Sequence, residues 1–71
     1  MNIVGPKVRK IRETQGLTQE ELVVRCNLLH WDISRGTLAK IEARVRRVTD
    51  NEVVLLAKAL SVLISELYDQ P

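Results

Sequence analysis

Leu17-Thr18-Gln19-Glu20-Glu21-Leu22 is the stretch on which the reading of this chain turns. An apolar residue, a threonine, two polar residues, a glutamate and a second apolar residue spell a helix start. The Thr18 hydroxyl is placed to accept from the Glu21 N–H, the Glu21 carboxylate to accept from the Thr18 N–H, and Leu17 and Leu22 to close a hydrophobic staple. Val48-Thr49-Asp50-Asn51-Glu52-Val53 repeats this grammar, with Asp50 at the positive end of the helix dipole. A third start, Ile33-Ser34-Arg35-Gly36-Thr37-Leu38, has a serine cap and an Ile33/Leu38 staple but no reciprocal acid.

Outward from these anchors the rest of the chain is also helical. A first helix is predicted from about residue 5 to 15, where Pro6 suits an early helical position, Val8 and Ile11 share a face and Gly16 supplies the stop. The helix from Thr18 presents Leu22, Cys26 and Leu29 inwards; the one from Thr49 presents Val53, Leu56, Ala57 and Leu60. A short last helix around Ile64 to Tyr68 uses Leu63, Ile64 and Leu67 to close the bundle before Pro71. No stretch alternates with the two-residue period of a strand, and no low-complexity linker divides the chain. The expected fold class is all-α: one domain over residues 1–71, a compact bundle of about five helices.

Composition narrows the function. At 71 residues, 45% apolar and 28% charged, the chain is globular in character but too small to build a deep catalytic cleft. One cysteine, Cys26, cannot form an internal disulfide, and a single histidine, His30, leaves no usual Cys/His zinc set, so no metal and no cofactor are expected. Apolar runs such as Val53 to Ala57 are too short to cross a bilayer, and the N-terminus lacks a secretory pattern, which points to a cytoplasmic protein without membrane contact. The net charge of +2 hides an asymmetry: residues 1–47 hold 10 Lys/Arg against 5 Asp/Glu, and residues 48–71 hold 1 against 4. One basic end is expected of a protein that faces a polyanion, although a solvated basic surface has the same composition.

Taken together, the Gly16-Leu17-Thr18-Gln19 entry to the second helix, Ile41-Glu42 near the end of the third and the alanine-rich Leu56-Ala57-Lys58-Ala59-Leu60 of the fourth resemble the Cro/phage-repressor (XRE-type) helix-turn-helix family. The likeness spans nearly the whole chain. It implies a lambda-repressor-like fold, no enzymatic activity, and a transcriptional regulator that binds double-stranded DNA as a homodimer. Three departures stand out. Asn27-Leu28-Leu29-His30-Trp31-Asp32-Ile33 lengthens the turn between the second and third helices by about five residues. Asn27 takes the place of the usual turn glycine, and Val23 that of a small alanine.

In that family the third helix lies in the major groove and reads base edges with its N-terminal residues. The residues carried onto this role are Ser34, Arg35, Gly36, Thr37 and Lys40. Leu38 and Ile41 turn inwards and leave them on the opposite side. Arg35 is placed for a bidentate contact to guanine, and Gly36 for close approach of the backbone to DNA. Gln19, Arg44, Arg46 and Arg47 are the expected phosphate contacts, with Lys7 and Lys10 as further candidates. The resemblance gives Arg12 and Glu42 a structural role, as an ion pair between the first and third helices. Trp31 is expected to cover the edge of the core, the alternatives being that it stacks on DNA or contacts a partner. The alternative function is a protein-interaction module, such as an antitoxin or accessory subunit, that keeps the fold without reading DNA.

Overall fold

Five helices follow one another along the chain in the computed structural model, which describes residues 4–68. They are α1 (Gly5–Thr14), α2 (Gln19–Leu28), α3 (Arg35–Glu42), α4 (Asp50–Leu60) and α5 (Ile64–Tyr68). Both predicted capping boxes form. Thr18 accepts from the Glu21 N–H at 3.1 Å while Glu21 accepts from the Thr18 N–H at 2.8 Å. Thr49 and Glu52 repeat the exchange at 3.2 and 3.1 Å. Ser34 caps α3 through the Thr37 N–H. Each start therefore satisfies donors that a bare helix end would leave without partners.

All four longer helices stop in the same way. In a Schellman motif a residue in the left-handed region turns the chain so that two further N–H groups reach back to the last helical carbonyls. Gly16 does this for α1 at φ 73°, with the Leu17 N–H on the Arg12 carbonyl. His30, Arg44 and Ser61, at φ 66°, 65° and 57°, do it for α2, α3 and α4. Their following residues, Trp31, Val45 and Val62, donate to Cys26, Lys40 and Ala57. Only the first of these stops is visible as a glycine. At Asn27 the sequence expectation is corrected: this residue stays helical, and its side-chain amide donates to the Trp31 and Ile33 carbonyls at 2.8 and 3.3 Å. The left-handed position falls at His30 because the inserted residues first extend α2 and only then turn.

The core gathers Val8 from α1, Leu22 and Cys26 from α2, Leu38 and Ile41 from α3, Leu56 and Leu60 from α4, and Leu67 from α5, all fully buried. Trp31 is half-buried against this cluster, as are Leu17, Val23, Leu29 and Val48. Burial raises the Cys26 thiol to a pKa of about 11, so it behaves as a small apolar side chain and not as a nucleophile. Side chains from neighbouring elements reach across to the end of α4: Gln15 Nε2 donates to the Leu60 carbonyl at 2.7 Å and Arg25 Nη1 to that of Ala59 at 3.2 Å. The end of the bundle departs from expectation. Leu67 closes it, but Leu63 and Ile64 are exposed, because the left-handed turn at Ser61 aims only one apolar side of α5 at the core. Pro71 lies outside the described residues.

A serine in the left-handed region is strained by its Cβ, whereas a glycine is not. Ser61→Gly is expected to raise unfolding free energy by about 0.5–1 kcal/mol, after the greater freedom of glycine in the unfolded chain is deducted. Urea denaturation monitored by circular dichroism measures this, and a loss of stability would mean that the turn is held by the serine side chain.

Candidate nucleic-acid interface

The N-terminal ends of α2 and α3 converge with one face of α1, and the convergence has a charged floor. Arg12 of α1 and Glu42 of α3 are both buried. The guanidinium meets the carboxylate as a fork, Nε to Oε2 at 2.8 Å and Nη2 to Oε1 at 3.1 Å. Arg12 Nη1 also donates to the Leu17 carbonyl at 2.7 Å, and Gln19 Nε2 donates to Glu42 Oε1 at 3.0 Å. The hydrogen bond to Glu42 is the largest influence on Arg12 and raises its pKa. No buried side-chain nitrogen or oxygen among the described residues lacks a hydrogen-bond partner. Three helices and the turn before α2 are thus tied together by one buried pair, and in such a pair the loss of either partner strands the other charge.

Above this floor opens a cleft lined by Arg9 of α1, Gln19 and Glu20 of α2, and Arg35 and Ala39 of α3. Arg9 is a residue that the sequence reading passed over in favour of Lys7 and Lys10. It sits three positions before Arg12 and so shares its helix face, a signal that was available. Its Nε is 3.3 Å from Glu13 in an exposed i,i+4 pair. The box at Thr18 and Glu21 satisfies the N–H groups of the cap and of Glu21; those of Gln19 and Glu20, in the first turn, have no carbonyl to accept them within the helix.

The candidate reading residues divide into three kinds. Arg35, Gly36 and Lys40 are exposed on α3, opposite the buried Leu38, Ile41 and Glu42. Thr37 is half-buried, and its hydroxyl oxygen accepts from the Ser34 hydroxyl at 3.1 Å. Ser34 is the cap of the helix, so its hydroxyl already has partners. At Gly36 an added Cβ would meet only the Ser34 Oγ, at 3.9 Å, so nothing within the protein requires a glycine there.

Among the candidate phosphate contacts, Arg44 and Arg47 are exposed on the loop after α3. Arg46 is placed differently. Its guanidinium grips Glu52 as a fork, Nη1 to Oε1 at 3.0 Å and Nη2 to Oε2 at 2.9 Å, and Nη1 also donates to the Arg47 carbonyl. Since Glu52 completes the capping box of α4, Arg46 fastens the loop to that helix and is not the loose cation the sequence implied. Arg46 foremost, with help from the Thr49 groups, holds the Glu52 carboxyl below the usual glutamate range. Gln19 likewise is tied to Glu42, although it remains at the mouth of the cleft. Lys10 is exposed and Lys7 half-buried.

Two successive capped helices, the second showing a cationic outer face beyond the connection of residues 29–34, define a helix-turn-helix protein. Residues 8–67 match the helix-turn-helix family of the Cro/C1 type. The chain belongs to that family, a family of DNA-binding regulators. No curated protein and no solved structure matches the chain significantly.

A carboxylate held below its ordinary pKa stabilises the fold fully above that ordinary value, and the contribution is lost as pH falls through the folded value. Glu52 therefore adds stability at neutral pH that disappears in acid. Urea titrations at pH 7 and pH 3 are expected to show that Glu52→Gln costs more stability at pH 7 than at pH 3. An equal loss at both values would contradict the pairing with Arg46.

Proposed function

We propose that this chain is a sequence-specific transcriptional regulator of the repressor kind, cytoplasmic, whose residues 1–71 form one domain that binds double-stranded DNA as a homodimer. The observation that carries the reading is the division of α3 into a buried Leu38/Ile41/Glu42 side and an exposed side bearing Arg35, Gly36 and Lys40. In the major groove such a face meets donor and acceptor patterns that differ for all four base pairs. Arg35, in the first turn of α3, is the direct reader, through a bidentate contact to guanine O6 and N7. Lys40 is the second reader, while Ser34 and Thr37 hold the start of the helix in shape.

Phosphates on either side of the groove meet Arg9 and Gln19 at the cleft and Arg44 and Arg47 beyond α3. Gln19 suits this role because Glu42 orients its amide and the start of α2 adds the positive end of the helix dipole. The longest dimension of the protein is 29 Å. Because half-sites lie about 34 Å apart along the duplex, one copy spans no more than one half-site, which suits a homodimer on an inverted repeat.

Selection from a random pool of duplexes, followed by affinity measurements at two salt concentrations, tests the reading. Wild type should enrich an inverted repeat and bind it more weakly as salt rises. Arg35→Ala should relax the sequence at one position of each half-site, with a loss of about 1–3 kcal/mol of discrimination. Gly36→Ala should stabilise the free protein by about 1 kcal/mol and yet weaken binding, because the new methyl group holds the backbone off the bases. No enrichment and no salt dependence would overturn the reading and leave a protein-interaction module in its place.

A further inference from the structure

One side chain ties down the connection between α2 and α3, residues 29–34. Asn27 is exposed in the last turn of α2, and its amide nitrogen donates across the connection, to the Trp31 carbonyl at 2.8 Å and the Ile33 carbonyl at 3.3 Å. The backbone of the connection has few bonds of its own. The stop at His30 brings the Trp31 N–H to the Cys26 carbonyl at 3.1 Å, and the Ile33 N–H turns onto the Trp31 carbonyl at 2.9 Å. Past Trp31, the bond from Asn27 to the Ile33 carbonyl is the only hydrogen bond among the described residues that joins residues 32–34 to α2. Ile33 is also buried, but apolar packing is non-directional, whereas a hydrogen bond fixes direction.

Ser34, the cap of α3, follows Ile33 directly, and Arg35 opens the helix. Directional bonds therefore hold α3 at both ends, through the Glu42 fork at its last residue and the Asn27 amide just before its cap. Without the amide, the fork holds one end of an eight-residue helix, about 12 Å long, and Arg35 stands at the other. We propose that Asn27 is a positioning residue for sequence discrimination: its amide fixes the start of α3, so that Arg35 enters the groove in one orientation. The inference rests on the DNA-reading function proposed above. The proposed phosphate contacts lie elsewhere, Arg9 and Gln19 on α1 and at the start of α2, Arg44 and Arg47 beyond α3. Loss of the Asn27 amide therefore separates base reading from attraction to the DNA backbone, which carries no sequence information.

Affinities of the full chain for the selected duplex and for a scrambled duplex, at two salt concentrations, test this. Asn27→Ala removes the tie at an exposed site, where no cavity is left and the better helix propensity of alanine offsets part of the cost. It is expected to bind the selected duplex at least about five-fold more weakly, the smaller end of what one bidentate base contact is worth. Affinity for the scrambled duplex and its salt slope should not change. Asn27→Asp, which keeps the outline but has no N–H to donate, should behave alike. Trp31, the one tryptophan of the chain, reports on the connection: in both variants its emission should move to longer wavelength and acrylamide should quench it more. Gln15→Ala is the control, since it removes an amide bond of the same kind to the Leu60 carbonyl at the end of α4. It should lower stability and leave discrimination and Trp31 emission as they are. Circular dichroism checks folding, and the Ser61→Gly background supplies the margin for any variant that unfolds. A folded Asn27→Ala that discriminates as wild type does overturns the proposal. So does an equal weakening on both duplexes, or a loss of discrimination in Gln15→Ala to the same degree, since either marks a general effect on the fold. A wild type that does not discriminate overturns the DNA reading itself.

Discussion

The fork between Arg12 and Glu42 is the constraint on which this small structure depends. Burial of two ions is costly unless geometry and further hydrogen bonds offset it. Here the arginine donates to both carboxylate oxygens and to the Leu17 carbonyl, and the carboxylate accepts from Gln19 as well. The pair therefore fixes α1 against α3 and, through Leu17 and Gln19, fixes where α2 begins. A purely apolar contact at this place would glue the helices without specifying their rotation. The directional bonds set the angle at which α3 shows Arg35 and Lys40 to the outside.

Local rules then supply the ends of the elements. Capping boxes start α2 and α4, a serine cap starts α3, and left-handed stops end four helices, so most of the backbone geometry is decided within a few residues of each terminus. Three of these stops use His30, Arg44 and Ser61, where glycine would be less strained. At Arg44 the strained position also holds an exposed cation at the exit of α3, so a glycine there would relieve the backbone and remove that charge together. Arg46 and Glu52 couple that same exit to the start of α4. The loop is consequently anchored by one arginine and left two others, Arg44 and Arg47, exposed.

How much of this was legible in the sequence follows from the range of each interaction. The helix starts depend on residues three and four apart, and Thr18/Glu21 and Thr49/Glu52 could be read directly. Inward faces with a 3.6-residue period were equally plain. The stop of α2 was not, because Asn27 resembles a turn residue while its amide instead spans the loop, and the left-handed role passes to His30. Leu63 and Ile64 looked like core because their pattern is apolar; only the turn at Ser61 decides that Leu67 alone is buried. Arg46 could not be told from Arg44 and Arg47 in a run of basic residues, since its partner lies across a turn of the loop. Arg12 with Glu42, 30 residues apart, was visible only through resemblance to a family.

The buried pair does more than hold the core: it orients Gln19 and the face of α3 that are proposed to meet DNA. The most direct test of this role is the affinity of the Arg12→Met/Glu42→Leu double variant for the wild-type recognition duplex. Replacing both ions by apolar groups of similar size leaves no stranded charge and is often neutral for stability, but Gln19 then loses its anchor. A folded variant that binds about ten-fold more weakly, a loss of about 1.4 kcal/mol, is the predicted result. A folded variant that binds as tightly as wild type would contradict the account.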